Sequence, residues 1–555
     1  MLKSTLFVAI LLSAGSGALA QMPVGAGGQL QQIPPVPDLP KTAPNFDFRP
    51  AAPASVATPA GPKVRVQTLR VTGQTLFSEA QLVAIAGFVP NSDLDLAEMR
   101  AIAAKITSFY NARGYFLTQA YVPEQDVLSG TVTVAVIEGR FGAIGLNNQT
   151  NLSDRAARGV LAGIESGDPV AAAPLERRLL LLSDIPGVLV RSTLSPGSAV
   201  GTSDLAVNLA PGRRVTGAIE ADNAGNRYTG AFRAGGTVNL NNPTGNGDLL
   251  SLRVLTSFSG LAYGRASYQM LLGKATVGVA FAHIDYDLGK EFESLDASGN
   301  AEVASVYASY PLIRSHDSNI YVLVGADAKW FEDKFGFISA VGRRRVQVAS
   351  LGLSADHHDD FGGGGWSAYS GSVSFGTLDI RGAGDRAADA LTARSDGSYG
   401  KAQLSVARLQ TVSGPLSLYG SVRGQLAFDN LDISEKMELG GAYAVRAYPE
   451  GEAYGDQGYV ATAEARLLLP RFLPDTAGDI QLFGFVDVGE VDYAKNPWFT
   501  GSNHAKRSAY GGGASWSAPG NFVLKATYAR KLGDADATSA PDKGGRAWFQ
   551  LSKTF

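Results

Sequence analysis

The sequence predicts two small α+β units, each of the order β-α-α-β-β, followed by a sixteen-stranded antiparallel transmembrane β-barrel. Three observations carry this. The first twenty residues read as an export signal, residues 63–212 twice place helical spacing between short strands, and residues 213–555 keep a period of two almost throughout.

The export signal spans residues 1–20. Lys3 supplies the positive start, Leu6 to Ala14 the short apolar run, and Ala18-Leu19-Ala20 a small-residue cleavage site before Gln21. No later run reaches the ~18 apolar residues of a membrane helix, so any crossing must be made by strands. The chain has 66 glycines and no cysteine, which excludes disulfides and thiolate chemistry. A net charge of −3 gives no electrostatic basis for a nucleic-acid partner, and none is expected.

Residues 21–62 form a proline-rich periplasmic tail. Pro34, Pro35, Pro37, Pro40, Pro44 and Pro50 remove donors and forbid a long helix, so an extended linker of polyproline II character is expected. Gly25 to Ile33 has room for one or two helical turns.

The first unit covers residues 63–139. Lys63 to Val71 alternates as a half-buried strand, and Ser78 with Gln81 opens a helix through a capping box. A second helix starts at Asp95 or Leu96, aligns Met99, Ile102, Ile106, Phe109 and Tyr110 on one face, and ends at Gly114. Strands at Thr118–Pro123 and Thr131–Glu138 close the unit. Residues 140–212 repeat the order, with strands at Phe141–Asn147, Leu189–Leu194 and Asp204–Leu209 and helices near Ser153–Ile164 and Pro174–Ser183.

The run Arg113-Gly114-Tyr115-Phe116-Leu117-Thr118, then Ala120-Tyr121-Val122-Pro123-Glu124-Gln125, then Val136-Ile137-Glu138-Gly139-Arg140, resembles the first POTRA domain of two-partner secretion transporters. These are the haemolysin and adhesin secretion/activation proteins, TpsB type. The resemblance implies two POTRA domains, with Tyr121, Val122, Pro123, Glu124 and Gln125 as candidates for docking a client.

From about Arg213 the alternation yields sixteen segments. They begin near Val215, Thr229, Asp248, Ala262, Ala275, Ala301, Asn319, Arg344, Gly365, Ser398, Leu416, Tyr459, Asp479, Ser508, Asn521 and Gly545. An even count suits a closed antiparallel barrel, in which every backbone group in lipid is paired. A soluble sandwich would show shorter strands, near 5–6 residues. Phe555 ends a strand in which Ala547, Phe549 and Leu551 share its face, a terminal aromatic that serves as a barrel signal.

The longest connection in the barrel, about Ile433 to Gln457, contains Val445-Arg446-Ala447-Tyr448. Long ordered loops are usually functional. Alternation of Ile480, Leu482, Val486 and Val488 puts Asp487 on the inner face of the thirteenth strand, within Phe485-Val486-Asp487-Val488-Gly489. The resemblance implies that this loop folds into the lumen and that Val445, Arg446 and Tyr448 match a V-R-G-Y/F tip. It likewise implies that Phe485, Asp487 and Gly489 match F-x-D-x-G, with arginine and aspartate forming a loop–barrel lock. Ala447 replaces the family glycine, which would cost strain if the backbone there had positive φ.

Other clusters weigh less. His357-His358-Asp359-Asp360 reads as a strand end beside the hairpin glycines Gly362–Gly365, and Arg343-Arg344-Arg345 as a pore-mouth or lipopolysaccharide contact. Neither a catalytic triad nor a phosphate loop is apparent, so no enzyme activity, cofactor or metal is expected. The resemblance implies an outer-membrane transporter with its POTRA domains in the periplasm. Its partner would be one dedicated large secreted protein, recognised unfolded by its N-terminal secretion domain and exported without nucleotide hydrolysis. Contacts with outer-membrane lipid and lipopolysaccharide, and with the barrel assembly machinery during biogenesis, are implied too. The alternatives are a factor that inserts other barrels, which usually has more POTRA domains, and a passive porin, for which the α/β units and the Arg446/Asp487 pair have no task.

Overall fold

The computed structural model describes residues 25–34, 61–127, 129–470 and 478–555, in two compact units. One lies within residues 42–212; the other joins the first 41 residues to residues 213–555. The expected signal peptide and most of the proline-rich tail fall outside the described residues. Within Gly25 to Ile33 the expected helical turns form as helix α1 (Ala26–Gln31), which belongs to the barrel unit rather than to a linker.

In the smaller unit, β1 (Val64–Val66) and β2 (Thr68–Thr72) replace the single strand expected there. The amides of Gln67 and Thr68 both donate to the Gly130 carbonyl, at 2.7 and 3.2 Å, and this bulge shifts the alternation. Val66, Leu69 and Val71 are therefore buried, and Thr68 is exposed. Helix α2 (Glu79–Ala86) starts with the expected Ser78/Gln81 capping box. After β3 (Ser92–Leu94), α3 (Leu96–Ala112) starts with a second box from Asp95 and Glu98. It buries Met99, Ile102, Ile106 and Tyr110 against the sheet. Gly114 then turns the chain at φ +86°, a conformation that favours glycine. Strands β4 (Gln119–Tyr121) and β5 (Thr131–Ile137) complete a sheet of order β2-β5-β4, with β2 parallel and β4 antiparallel to β5.

The next segment repeats this topology. β6 (Arg140–Asn148), α4 (Asp154–Leu161), α5 (Ala172–Ser183), β7 (Val188–Pro196) and β8 (Thr202–Pro211) give the order β6-β8-β7. Again the last strand is central, the first parallel to it and the other antiparallel.

Glu138, from the run that carried the resemblance, is the polar hub of the first of these folds. Its carboxylate accepts the Thr75 and Leu76 amides at 2.8 and 2.9 Å, the Tyr110 hydroxyl at 2.8 Å, and the Thr75 hydroxyl. Burial works to raise its pKa, but these bonds outweigh burial and hold the carboxyl below its ordinary value. Beside it, a Cβ on Gly139 would sit 2.5 Å from the Leu117 Cβ, so the motif glycine permits close packing. Glu138→Gln is expected to destabilise residues 42–212 by about 1–3 kcal/mol at neutral pH, read from urea unfolding of that unit. Because the folded pKa is depressed, the charge contributes fully above the unfolded value near ~4.3 and is lost as pH falls through the folded one, so the deficit should shrink in acid. A deficit that persists unchanged in acid would contradict this.

The larger unit is a closed barrel. Its first strands are β9 (Val215–Asp222), β10 (Arg233–Asn241), β11 (Leu249–Thr256), β12 (Leu261–Leu272) and β13 (Ala275–Asp287). The longer strands β14 (Ala297–Arg314), β15 (Ser318–Phe335), β16 (Ala340–Asp359), β17 (Gly365–Ile380) and β18 (Gly397–Ser413) follow, with α6 (Ala383–Leu391) before the last. After β19 (Leu416–Ala427), a long loop holds the two-residue strands β20 (Met437–Glu438) and β21 (Tyr454–Gly455). β22 (Gln457–Leu468), β23 (Asp479–Asp492), β24 (His504–Ala518), β25 (Phe522–Lys531) and β26 (Gly545–Thr554) close the circle against β9. All sixteen wall strands were expected. The largest shifts in start are of Thr229 to Arg233, Ala301 to Ala297, Arg344 to Ala340 and Ser508 to His504.

Side chains alternate as the period requires. Leu252, Val254, Phe281, Val306, Phe375 and Phe549 face outward, while Arg253, Glu220 and Asp487 are buried within. The closing seam is short: β26 pairs with β9 over Gln550–Thr554 alone. It is extended at one end by Asn223, whose side-chain amide bonds to Ala547 O and Phe549 N at 3.0 and 2.7 Å. At the other end Phe555 and Gly217 exchange backbone bonds of 3.0 Å. A Cβ on Gly217 would lie 2.6 Å from the Phe555 ring, so glycine makes the seat for the terminal aromatic.

Candidate functional site

The barrel interior holds two inserts, α1 and the loop between β19 and β22. Asp333 of β15 accepts the Ala26 amide at 2.8 Å and the Tyr286 hydroxyl at 2.7 Å. Ala26 itself is buried in a cluster with Ile284, Tyr286 and Phe331, against which Leu30 and Ile33 pack. Arg233 and Arg253 of the wall donate to the Gln32 and Pro34 carbonyls at 2.8 and 2.9 Å. Helix and loop also meet: Gln31 donates to Ile433 O at 2.7 Å and Gln32 to the Tyr454 hydroxyl at 2.6 Å. Six residues make a poor helix alone, so these wall contacts hold it.

The loop is fixed by charge. Glu435 pairs with Lys329 and Lys401 at 2.6 and 2.8 Å, Asp432 with Arg344 at 2.7 Å, and Lys436 with Asp456. This corrects the reading of Arg343-Arg344-Arg345. The triplet lies inside β16, so alternation turns Arg344 inward onto Asp333 and Asp432, at 2.6 and 2.7 Å. Arg343 instead pairs with Glu332, and Arg345 lies over the Trp330 ring.

At the loop tip Tyr448 N–H donates to Val445 O at 3.1 Å, making a turn with Arg446 and Ala447 at its centre. Ala447 does not have positive φ, so the strain that the resemblance would imply for alanine there is absent. Val445, Ala447 and Tyr448 are fully buried in one apolar cluster with Phe483 and Phe485. Tyr448 also donates to Ala535 O at 3.0 Å.

Arg446 makes the expected pair and more. Its Nε and Nη2 donate to the two Asp487 oxygens at 2.8 and 2.7 Å, a bidentate fork, while Nη1 donates to Glu464 Oε1 at 2.8 Å. The guanidinium stands 3.4 Å from the Phe485 ring centroid, so the motif phenylalanine is its stacking face. Thr462 donates to Asp487 at 2.9 Å and Arg466 to Glu464 at 2.8 Å, completing the acceptors. Trp548 Nε1 of β26 donates to Arg446 O at 2.7 Å. Gly489, the last motif residue, leaves room for the loop: a Cβ there would be 2.6 Å from Leu439 Cδ1. Phe485, Asp487 and Gly489 thus share the inner face, as alternation requires.

Glu464 and Trp548 were missed by sequence reasoning. Glu464 alternates to the inner face of β22, two residues from Thr462, which stands opposite Asp487; only the strand register shows that it reaches the same arginine.

The docking candidates divide. Tyr121 and Glu124 are exposed, on and just beyond edge strand β4, and Val122 packs against the core. Gln125 is engaged: its side-chain amide exchanges bonds of 2.8 and 2.7 Å with the Thr133 backbone, prolonging the β4–β5 pairing. Asp359, from the His357–Asp360 run, is committed to Arg408 at 2.8 Å, and Gly362, Gly363 and Gly364 turn the hairpin with positive φ.

The comparisons agree with this architecture. Residues 201–512 match the model of the haemolysin secretion/activation protein ShlB/FhaC/HecB, and residues 64–139 that of the POTRA domain, ShlB-type. The heme/hemopexin transporter protein HuxB of Haemophilus influenzae is 27% identical over 89% of this chain and 87% of its own. The outer membrane transporter CdiB of Dickeya dadantii is 23% identical over 72% of this chain and 71% of its own. Among solved structures, CdiB from Escherichia coli superposes with a TM-score of 0.72 at 20% identity, covering 91% of this chain and 93% of that one. With the first family model matching more than half of its length, this chain belongs to the haemolysin secretion/activation protein family, ShlB/FhaC/HecB.

Proposed function

We infer that this chain is the transporter half of a two-partner secretion pair, moving one dedicated large secreted protein, unfolded, through the outer membrane. The family exports partner proteins, and the barrel lies in that membrane with its POTRA domains in the periplasm. The observation that carries the mechanism is the loop held across the lumen by Arg446 on Asp487 and Glu464. A charged lock is firm when dry, yet weakens as soon as water or a passing chain supplies other partners. It therefore suits a channel that must stay shut between clients. Folding of the client outside supplies direction, so transport needs no nucleotide and no catalytic step.

The exposed end of the β4 edge, with Tyr121 and Glu124, suits an arriving client that adds a strand by main-chain bonds. The outward apolar faces and the seated Phe555 support contacts with lipid and lipopolysaccharide, and with the assembly machinery during biogenesis. A photo-crosslinking residue at Tyr121 tests the reading. One large secreted protein is expected on the crosslinked band; a ladder of many outer-membrane barrels would instead identify an assembly factor.

A further inference from the structure

A carboxylate of the loop itself makes a further hold on the wall. Glu452 lies on the outgoing limb, and its side chain is fully buried. Its Oε1 accepts from Arg507 of β24, from Nε at 2.9 Å and Nη2 at 2.7 Å. Here the loop supplies the acid and the wall the arginine, the reverse of the Arg446–Asp487 pair. The two locks share no residue: one stands on β22 and β23, the other on β24.

The Glu452 carboxylate also holds a third element. Oε2 accepts the backbone N–H of Thr538 at 2.9 Å and of Ser539 at 3.3 Å. The Thr538 hydroxyl donates to Glu452 O at 3.1 Å, and the Ser539 hydroxyl to Glu450 O at 3.3 Å. Thr538 and Ser539 belong to the connection 532–544 between β25 and β26. The even strand count brings the chain back to the side on which it entered the barrel, so this connection lies at the opposite, outer mouth. Ala535 and Ala537 pack onto the loop-tip cluster, and Asp542 braces the connection by accepting the Ala537 amide at 2.8 Å.

We propose that Glu452 is a second anchor of the tip and outgoing limb of the lumen loop, independent of Arg446, and that its carboxylate clasps connection 532–544 against the loop at the outer mouth. The incoming limb is held by Asp432 and Glu435; a tip and outgoing limb pinned at one point pivot, and pinned at two have one orientation. They leave the wall only when both Arg446 and Glu452 let go, and release of Glu452 frees the outer connection too. This rests on the reading of the loop as the movable gate, but its test does not use export.

The chain has no cysteine, so a single Ala537→Cys reporter can be labelled on intact cells with a membrane-impermeant maleimide. Labelling should be slow in the otherwise unchanged protein and about tenfold faster with Glu452→Ala or Glu452→Gln. Arg446→Ala should accelerate it less, because the tip beneath Ala537 is unseated but the Glu452 anchor on Thr538 and Ser539 remains. Glu452→Arg combined with Arg507→Glu restores an ion pair but puts no carboxylate at the Thr538 and Ser539 amides, so labelling should stay fast. Heat-modifiable gel mobility confirms barrel assembly, and Glu452→Gln carries the test if the alanine variant does not assemble. Unchanged labelling in the assembled Glu452 variants would overturn the proposal. So would equal acceleration by Arg446→Ala, or a return to slow labelling in the reversed pair. None of these outcomes depends on whether a client is exported.

Discussion

Arg446→Ala is expected to cut export of the partner protein to below about a tenth of the wild-type level while leaving the barrel assembled. Removing the guanidinium strands the buried Asp487 without its ion-pair partner and leaves Glu464 with Arg466 alone; breaking one side of a buried pair costs ~3–5 kcal/mol. The cation–π contact with Phe485 goes as well. Since ~1.4 kcal/mol is a factor of ten in population, the correctly seated loop tip becomes a minor state. The wall survives because its stability lies in a closed backbone ladder to which Arg446 contributes nothing. Arg446→Lys should fall between, as an ammonium cannot make the fork to Asp487 and the third bond to Glu464 together. Immunoblots of the medium and heat-modifiable mobility of the barrel read the two halves of this expectation. Normal export by the alanine variant would remove the lock from the mechanism.

Deletion of residues 25–34 should give the second large effect, a severalfold rise in single-channel conductance in planar bilayers and entry of large antibiotics into cells. A sixteen-stranded wall encloses more space than its own side chains fill, and α1 occupies part of that space. The helix is short, and besides the apolar seat of Ala26, Leu30 and Ile33 it is bound by polar contacts that water can replace. Asp333→Ala should raise conductance in the same direction by less, since it removes the acceptor of the Ala26 amide and loosens Arg344 as well. Conductance unchanged by the deletion would mean that the loop alone closes the channel.

The wall was largely legible in the sequence because a period of two is a local signal, repeated strand after strand. Strand starts drifted by four residues at β14 and β16, which hold 18 and 20 residues against the ~10 needed to cross, and by as much at β10 and β24, of 9 and 15 residues. Arg446 and Asp487 were legible through the family pattern, and alternation pointed Asp487 inward. Long-range register was not, and that is what brings Glu464, Trp548 and Arg507 to the loop. The tail was misread for a related reason. After Pro23 its prolines resume only at Pro34, beyond α1, and what holds α1 is a wall Asp and two wall Arg at sequence distances no local pattern reports.

The central claim is dedicated export, and it is tested most directly by comparing medium and outer-membrane proteomes of cells with and without this gene. Loss of one large protein from the medium or cell surface, with other barrels unchanged, is the predicted result. A broad fall in many outer-membrane barrels, or no change in either fraction, would contradict it.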